Sequence, residues 1–318
     1  MIKWNILLTL EKTVEEKLFP DSLPEFEHMF DTETKCRDHL YRIKYPNGFV
    51  CPKCGETAFW WSTKHVLCCK HCHNQIALRA GTVMESSKKP LMLWYRAIFL
   101  VSFQKNGISA KNLQNQLGFG SYQTAWSWLQ KIRRSMRRKG REKLSGKIEV
   151  DEAYYGGKKS GKRGRGSENK KEFAIAVETE GKKIGRIRME CINDCSAEAL
   201  QSFVYATIEQ KSTLITDGWK SYLGIEPEHY AHTVKAKKNE EDLLPSVHLC
   251  ISLFKRWMLG IHQGLVQKKH LQFYLDEFVF RFNRRKSKSR GLVFYRLLEQ
   301  VVCFPATTYR ELVASSVT

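Results

Sequence analysis

Apolar residues fall along this chain in two rhythms, and the change between them divides it. From Pro90 to Met136 they recur every third or fourth position, in LMLWYRAIFLVSF, then SAKNLQNQLGF, then YQTAWSWLQKIRRSM, which is the spacing of helices with one buried face. Beyond residue 146 the period shortens to that of strands. KIEVDEAYYGG, EFAIAVETEG and KIGRIRMECIN read as three strands joined by glycine-bearing turns. SAEALQSFVYATIEQ returns to helical spacing with Ser196 placed to cap it, STLITDGW reads as a fourth strand, and HYAHTVKA is a candidate fifth. Residues 243–283 are mostly helical. The order β-β-β-α-β-(β)-α predicts an α/β domain over about 145–285. Ahead of these segments, residues 1–23 are polar and weakly patterned, 24–46 are helical, and 49–80 carry short strand-like runs. There is no internal repeat.

Cysteine placement gives the strand-poor region 49–80 its meaning. Cys51-Pro52-Lys53-Cys54-Gly55 and Cys69-Lys70-His71-Cys72 are two Cys-x2-Cys pairs with 14 residues between them. Four thiolates at this spacing close a tetrahedral structural zinc site and leave no position open for substrate. Cys68 is an alternative to Cys69 that would alter the knuckle spacing. His65, His71 and His73 read as packed or solvated side chains rather than ligands. Zinc in such a module supplies folding energy that its small core lacks. Its basic side chains Lys53, Lys64 and Lys70 are placed to meet an anion.

Between Pro90 and Met136 the pattern also hints at recognition. Ser109-Ala110-Lys111 opens one helix, Gly118-Phe119-Gly120-Ser121 turns the chain, and Tyr122 opens another. A helix-turn-helix has this form, with the start of its second helix in the major groove; Ser121, Gln123 and Thr124 are then the candidate base contacts. A plain helical hairpin has the same pattern. Trp126, Leu129 and Ile132 recur at core spacing. The run from Lys131 to Lys143 holds eight basic residues and one acid, either a solvated face or a set of phosphate contacts.

Charge favours the nucleic-acid side of these alternatives. The chain has 318 residues, with 53 Lys and Arg against 33 Asp and Glu, a net charge of +20. Such an excess implies a polyanionic partner. The basic residues are interleaved with core segments rather than forming one juxtamembrane block, and no apolar run approaches the roughly 20 residues of a membrane span. The apolar patch from Trp4 to Leu10 has no small-residue cleavage site after it, so a cytoplasmic, reducing location is expected (nucleoid-associated if bacterial).

Two carboxylates stand in apolar strands. Asp151 lies in the middle of IEVDEAYYGG and Asp217 at the end of LITDGW; a buried acid needs a partner or a metal. Two aspartates on neighbouring strands can share divalent cations, which serve phosphodiester chemistry. Glu152 points to the opposite strand face from Asp151 and reads as a secondary group, a candidate salt-bridge partner. The loop after Gly156 matches most of a phosphate-binding G-x4-G-K loop, but Arg163 replaces the required Ser or Thr, which argues against nucleotide binding. Seven Lys and Arg between Lys158 and Lys171, among them Lys158, Lys159, Lys162, Arg163 and Arg165, suit instead an arm that grips DNA phosphates.

These stretches together resemble the ISXO-type insertion-sequence transposases of the DDE superfamily. The resemblance is carried by GFVCPKCG, the segment from ALRAGT to KKPLMLWYRAIFL, SAKNLQNQLG with TAWSWLQKIR, VDEAYYGGKKSGKRGRGSENK, TDGWKSY, and FKRWMLGIHQG with KKHLQFYLDEFVFRFNRR, covering about residues 24–300. It implies an RNase H-like core, catalytic Mg²⁺ or Mn²⁺, and DNA with terminal inverted repeats as substrate. It assigns Asp151 and Asp217 to the first two catalytic positions. The third falls on His248, seven residues before Lys255, so that both share a helix face; Glu277 is another candidate third acid, but its place in LDEFVF reads more simply as a helix face. Lys255 is then a phosphate contact.

The resulting expectation is an α/β protein in five parts: an N-terminal helical lead-in (1–48), a zinc ribbon (49–80), a helical DNA-recognition segment (88–143), an RNase H-like catalytic domain (145–300) and a C-terminal tail (301–318). Its function is metal-dependent cleavage at terminal repeats and strand transfer into target DNA, in at least a dimer, since two ends must be held together. Two rival readings are a non-catalytic zinc-ribbon DNA-binding protein, decayed or regulatory, and a nuclease of the same fold that never joins ends.

Overall fold

A computed structural model describes residues 17–63, 65–138, 140–156, 171–181, 183–217, 220–222, 224–225, 229–234, 243–264 and 266–314. The basic loop residues Lys158, Lys159, Lys162, Arg163 and Arg165, and also Lys64 and the patch from Trp4 to Leu10, lie outside the described residues.

The 24–46 stretch is two helices, α1 (Leu23–Met29) and α2 (Glu33–Lys44). The first stops at Phe30, whose backbone leaves the helical region, and Thr32 Oγ1 accepts from the Lys35 N–H to start the next. Strands β1 (Phe59–Trp61), β2 (Val66–Cys69) and β3 (Gln75–Ala77) then form an antiparallel three-stranded sheet. Helices α3 (Leu91–Phe103), α4 (Ala110–Leu117) and α5 (Tyr122–Ser135) follow. Ser109 caps α4, Gly118 ends it in the left-handed conformation at φ 63°, and Ser121 caps α5 by accepting from the Gln123 N–H.

The second half begins with β4 (Lys147–Tyr155), β5 (Lys171–Glu180) and β6 (Lys183–Ile192), an antiparallel meander. Helix α6 (Ala197–Thr207), started by the Ser196 cap, crosses to β7 (Thr213–Thr216), which pairs parallel with β4; β8 (Ala231–Val234) pairs parallel with β7. The sheet order is β6-β5-β4-β7-β8. Helices α7 (Pro245–His262) and α8 (Leu271–Asn283) complete the unit. This mixed α/β architecture is consistent with the RNase H-like core expected from the resemblance.

Strand alternation sorts the sheet into two faces. Ile148, Val150, Ala174, Ala176 and Leu214 pack with Leu200, Phe203 and Val204 of α6. Ala153, Phe173, Ile175, Val177 and Ile187 face the other way, against Val247, Phe254 and Met258 of α7 and the apolar side of α8. Asp151 falls on this second face by its odd position in β4.

Two more helices follow, α9 (Arg290–Cys303) and α10 (Tyr309–Ala314). The expected boundary at residue 300 falls inside α9. Phe294, Leu297, Leu298 and Val301 of α9 are buried in the core built by α1–α5 and the small sheet, not in that of the large sheet. The C-terminal stretch expected as a tail contains α10, with Leu312 fully buried.

The two halves meet through a buried charge network. Arg133 on α5 and Glu277 on α8 pair at 2.7 Å, with side chains 2% and 1% exposed. Arg281 approaches the other Glu277 oxygen at 2.7 Å and reaches back to the carbonyls of Val101 and Gln104 near the end of α3. The Arg133 guanidinium also stacks over the Tyr274 ring at 4.2 Å. Gly107 is required where this loop passes: its φ is +82°, and a Cβ there would lie 2.8 Å from Glu277 Oε1. Glu277 is therefore committed to two arginines at the joint and is not available as a catalytic acid. Burial pushes its carboxyl up, but Arg281 and Arg133 outweigh it and hold the group down at about 2.

Glu277→Gln leaves Arg133 buried without its counter-charge, and is expected to destabilise the fold by about 3–5 kcal/mol in urea unfolding. Because the folded-state pKa lies below the ordinary carboxylate value, the wild-type advantage is complete above about pH 4.5 and disappears as pH falls toward 2. The stability gap between the two proteins should therefore be narrower at pH 3 than at pH 7; a constant gap refutes the assignment.

Candidate active site and metal centre

The parallel register carries Asp151 and Asp217 to one place. Lys147, Ile148 and Glu149 of β4 pair with Thr213, Leu214 and Ile215 of β7, and the same offset continued two residues brings Asp151 level with Asp217 just past the end of β7. His248, in the first turn of α7, has Nε2 at 3.4 Å from Asp151 Oδ2, with the histidine half exposed and the aspartate largely buried. Burial, then the carboxylates of Glu152 and Asp217, push the Asp151 carboxyl up to about 7, against the pull of the Glu152 N–H and of His248. The structure thus brings together Asp151, Asp217 and His248. Among the described residues these three do not form a cluster closed to ligand spacing; four cysteines do. Lys255 is exposed on α7, on the same helical face as His248 but roughly 10 Å further along the axis.

Two carboxylates that sequence reasoning did not place as such hold this arrangement. Helix α7 starts at Pro245 and has no side-chain cap of its own at Leu244. Instead, Glu149 of β4, buried on the same strand face as Asp151, accepts the N–H groups of Ser246 and Val247 at 2.9 and 3.0 Å. Donors left open at a helix start are thereby satisfied, and the negative charge suits the helix dipole. His248 is the next residue, so Glu149 sets where its ring lies relative to Asp151. The signal was present in the sequence: Glu149 is as anomalous in an apolar strand as Asp151. On the opposite face, Glu152, expected as a secondary group and candidate salt-bridge partner, has a hydroxyl partner. It accepts the hydroxyl of the buried Tyr222 at 3.0 Å, and Ser221 Oγ donates to the Cys195 carbonyl at 2.9 Å. These bonds anchor the segment that follows Asp217 beneath β4.

The cysteine site is complete in itself. The Sγ atoms of Cys51, Cys54, Cys69 and Cys72 all lie within 4.8 Å of one another, with 3.6 Å between Cys51 and Cys72 and 3.5 Å between Cys54 and Cys69. Four sulfurs at about 2.3 Å from a tetrahedral ion stand about 3.8 Å apart, so the cluster fits a structural metal of the zinc type. Each pair sits on a tight turn: Gly55 N–H donates to the Cys51 carbonyl with φ +78°, and His73 N–H to the Cys69 carbonyl with φ +55°. Burial opposes ionisation of Cys51, but the amides of Lys53 and Cys54 and the neighbouring thiols hold it down at about 6. Cys68 is excluded as a ligand, since it lies on the other face of β2 with Sγ toward the Val66 carbonyl. His65 contacts Arg37, and His73 packs edge-on to Trp60; neither they nor His71 join the cluster.

The helical pair α4–α5 exposes Ser121 and Gln123 and half-buries Thr124. Leu129 and Ile132 are core, and Trp126 packs on His270 and Tyr309.

Comparison with known proteins accords with this geometry. A family model for the ISXO2-like transposase domain matches residues 143–283, the span that contains Asp151, Asp217, His248 and Lys255. A second, for a transposase zinc-ribbon domain, matches residues 31–75, including α2 and all four cysteines. The chain thus carries an ISXO2-like transposase domain and a transposase zinc ribbon. A similar protein, described as an uncharacterized protein in transposable element ISH50 of Halobacterium salinarum (strain ATCC 700922 / JCM 11081 / NRC-1), is 24% identical over 275 residues, which is 79% of this chain and 91% of that protein. No described helix of this transposase is long and apolar enough to cross a membrane.

Two outcomes test the local geometry. Cys54→Ser should lower the zinc content of the purified transposase from about one ion per chain toward zero, read by elemental analysis, and should expose residues 49–80 to proteolysis. Retention of zinc by this variant refutes the ligand set. Glu149→Ala should reduce stability by about 1–2 kcal/mol in chemical unfolding, the scale of a lost helix cap; no change refutes the capping role.

Proposed function

We propose that this transposase cleaves DNA at the terminal inverted repeats of its own element and joins the freed 3′ ends to target DNA, with Asp151, Asp217 and His248 holding the catalytic cations. The observation that carries the reading is the convergence of two acids from neighbouring parallel strands with an imidazole from the first turn of α7, 3.4 Å from Asp151. The donor set fits a divalent cation: the Asp151 carboxyl is pushed up first by burial and then by the like charge of Glu152 and Asp217, and a cation would favour its ionised form against both. Divalent cations bound there would supply activation of the attacking oxygen and stabilisation of the leaving oxygen. Asp151, fixed in mid-strand, is the rigid ligand. Asp217, at a strand end, is exposed toward the approaching phosphodiester. His248 brings nitrogen rather than oxygen, which favours Mn²⁺ relative to Mg²⁺ in this reading, since hard Mg²⁺ prefers oxygen ligands. Lys255, along the same helix face, is a phosphate contact outside the metal shell.

Zinc in the four-cysteine site keeps the ribbon folded, with Lys53 and Lys70 on its surface. Exposed Gln123 and half-buried Thr124 at the start of α5 are the candidate base readers. Ser121 there uses its hydroxyl as the helix cap, which leaves it for phosphate rather than base contact. Two transposon ends must be held together for joining, so the working assembly is at least a dimer.

The test is strand cleavage of DNA carrying the element's terminal repeats, with Mg²⁺ and Mn²⁺ in parallel, for wild type and Asp151→Ala. The variant should retain repeat binding and lose cleavage by roughly a thousand-fold or more, a loss of several kcal/mol of transition-state stabilisation. His248→Asp should raise the Mg²⁺-supported rate relative to the Mn²⁺-supported one. Binding without cleavage under either ion would instead mark a DNA-binding protein without catalysis, and cleavage without joined products a nuclease.

A further inference from the structure

A second cluster of charge lies away from the acids. Where the chain leaves α5, the end of α8 and the outer side of α9 enclose a cleft of about 390 Å³, lined by Arg138, Glu142, Arg284, Arg296, Glu299 and Gln300. Its two carboxylates are engaged by arginines: Glu299 by Arg296 at 2.9 Å and Glu142 by Arg186 at 3.2 Å. The Arg284 guanidinium is fixed in place, stacked 3.9 Å over the Phe280 ring with Nη1 on the Phe280 carbonyl. Arg188 of β6 stands behind the Glu142 carbonyl, donating to it at 2.7 Å. β6 is the outer strand of the sheet, separated from β4 by β5, so the cleft is distinct from the site of Asp151 and Asp217.

These arginines crowd one another. Burial, then Arg138 and Arg296, push Arg284 down to about 10; burial, then Arg141 and Arg186, push Arg188 down to about 10. Both remain charged at neutral pH, and the depression records burial first and repulsion by neighbouring arginines second, both of which a bound anion would offset. In the cleft wall, Gln300 Oε1 is buried without a hydrogen-bond partner among the described residues. A half-turn of that amide presents its NH₂ instead, a donor suited to an anion. Guanidinium forks match phosphate oxygens in pairs.

We propose that this cleft is a phosphate-binding site, in which Arg138, Arg284 and Arg296 take a backbone phosphate of duplex DNA at the end of α5 opposite to Ser121. The inference rests on the DNA-binding part of the proposed function and adds a contact outside the catalytic face, the ribbon and the helix-turn-helix.

The experiment pairs Arg138→Gln with Arg296→Gln in the full chain, leaving Arg284 because it caps α8. Thermal unfolding is read first, in inorganic phosphate and in chloride at matched ionic strength. Phosphate should raise the Tm of wild type and not that of the double variant. Binding of terminal-repeat duplex is then titrated against salt. The variant should bind about ten-fold or more weakly at low salt, with a log–log slope shallower by about 0.9 for each phosphate no longer neutralised. A phosphate-dependent Tm with unchanged DNA affinity and slope overturns the DNA assignment in favour of a free-phosphate site. No phosphate effect together with unchanged DNA binding overturns the site altogether. Wild type that binds no duplex overturns both this contact and the proposed function, whatever phosphate does to its Tm.

Discussion

The joint between the helical half of the molecule and its large-sheet unit is centred on Glu277. Its carboxylate is sealed from water between Arg133 of α5 and Arg281 of α8. A buried charge of this kind adds little net stability over a well-packed apolar pair, but it is strongly destabilising when half of it is removed. It also has one satisfactory geometry, whereas apolar surfaces tolerate sliding. The consequence is that α5, whose first turn exposes Gln123, has a fixed register on α8, which packs on the large sheet. The surrounding contacts are equally particular: Arg281 ties in the loop after α3, the Trp257 indole donates to the Asn106 carbonyl, and Gly107 passes where no side chain fits. His262, at the end of α7, is pushed down to about 3 by burial and by Arg133, so it adds no further charge to the joint.

A second constraint recurs in both halves. Two helices, α3 and α7, begin at or after a proline and have no side-chain cap of their own. In each case a carboxylate from elsewhere takes that part: Glu33 of α2 accepts the N–H groups of Leu91 and Met92, and Glu149 of β4 those of Ser246 and Val247. A local cap stabilises a helix wherever it lies, whereas a remote one stabilises it only when docked. For α7 this ties formation of the helix to its position on β4, and thereby ties His248 to Asp151.

That distinction explains how much was legible in the sequence. Strand and helix periods revealed the order of elements from α3 to β8, and helix over 243–283 without its division into α7 and α8, because each is a property of adjacent residues. Ser109, Ser121 and Ser196 were readable as helix starts for the same reason, and the two Cys-x2-Cys pairs because their chemistry is local in spacing. Asp151 and Asp217 stood out as acids in apolar strands. What was hidden depends on partners far along the chain. Glu149 is 97 residues from the amide it caps, and Glu277 is 144 residues from Arg133. The role of α9 was hidden too, since its apolar stripe is satisfied by α1 and α3 at the other end of the chain. Helical period reveals that a face is buried but not against what.

The same logic bears on the positive charge. A net charge of +20 does not say where the charge is used, and the structure shows what holds several of the arginines. Arg133 and Arg281 are structural, and Arg186 is taken up by Glu178 and Glu142. Arg296, paired with Glu299, lines a cleft together with Arg138. On the two proposals together, both ends of one rigid segment address DNA: the start of α5 a groove, and the chain just beyond its end a phosphate. A helix of 14 residues is about 21 Å long, the rise of roughly six base pairs. Because α5 is fixed to α8 through Glu277, neither contact can shift without carrying the sheet that bears Asp151. The distance along the duplex from the recognised sequence to the cleaved bond is then set by the protein's interior rather than by a flexible linker.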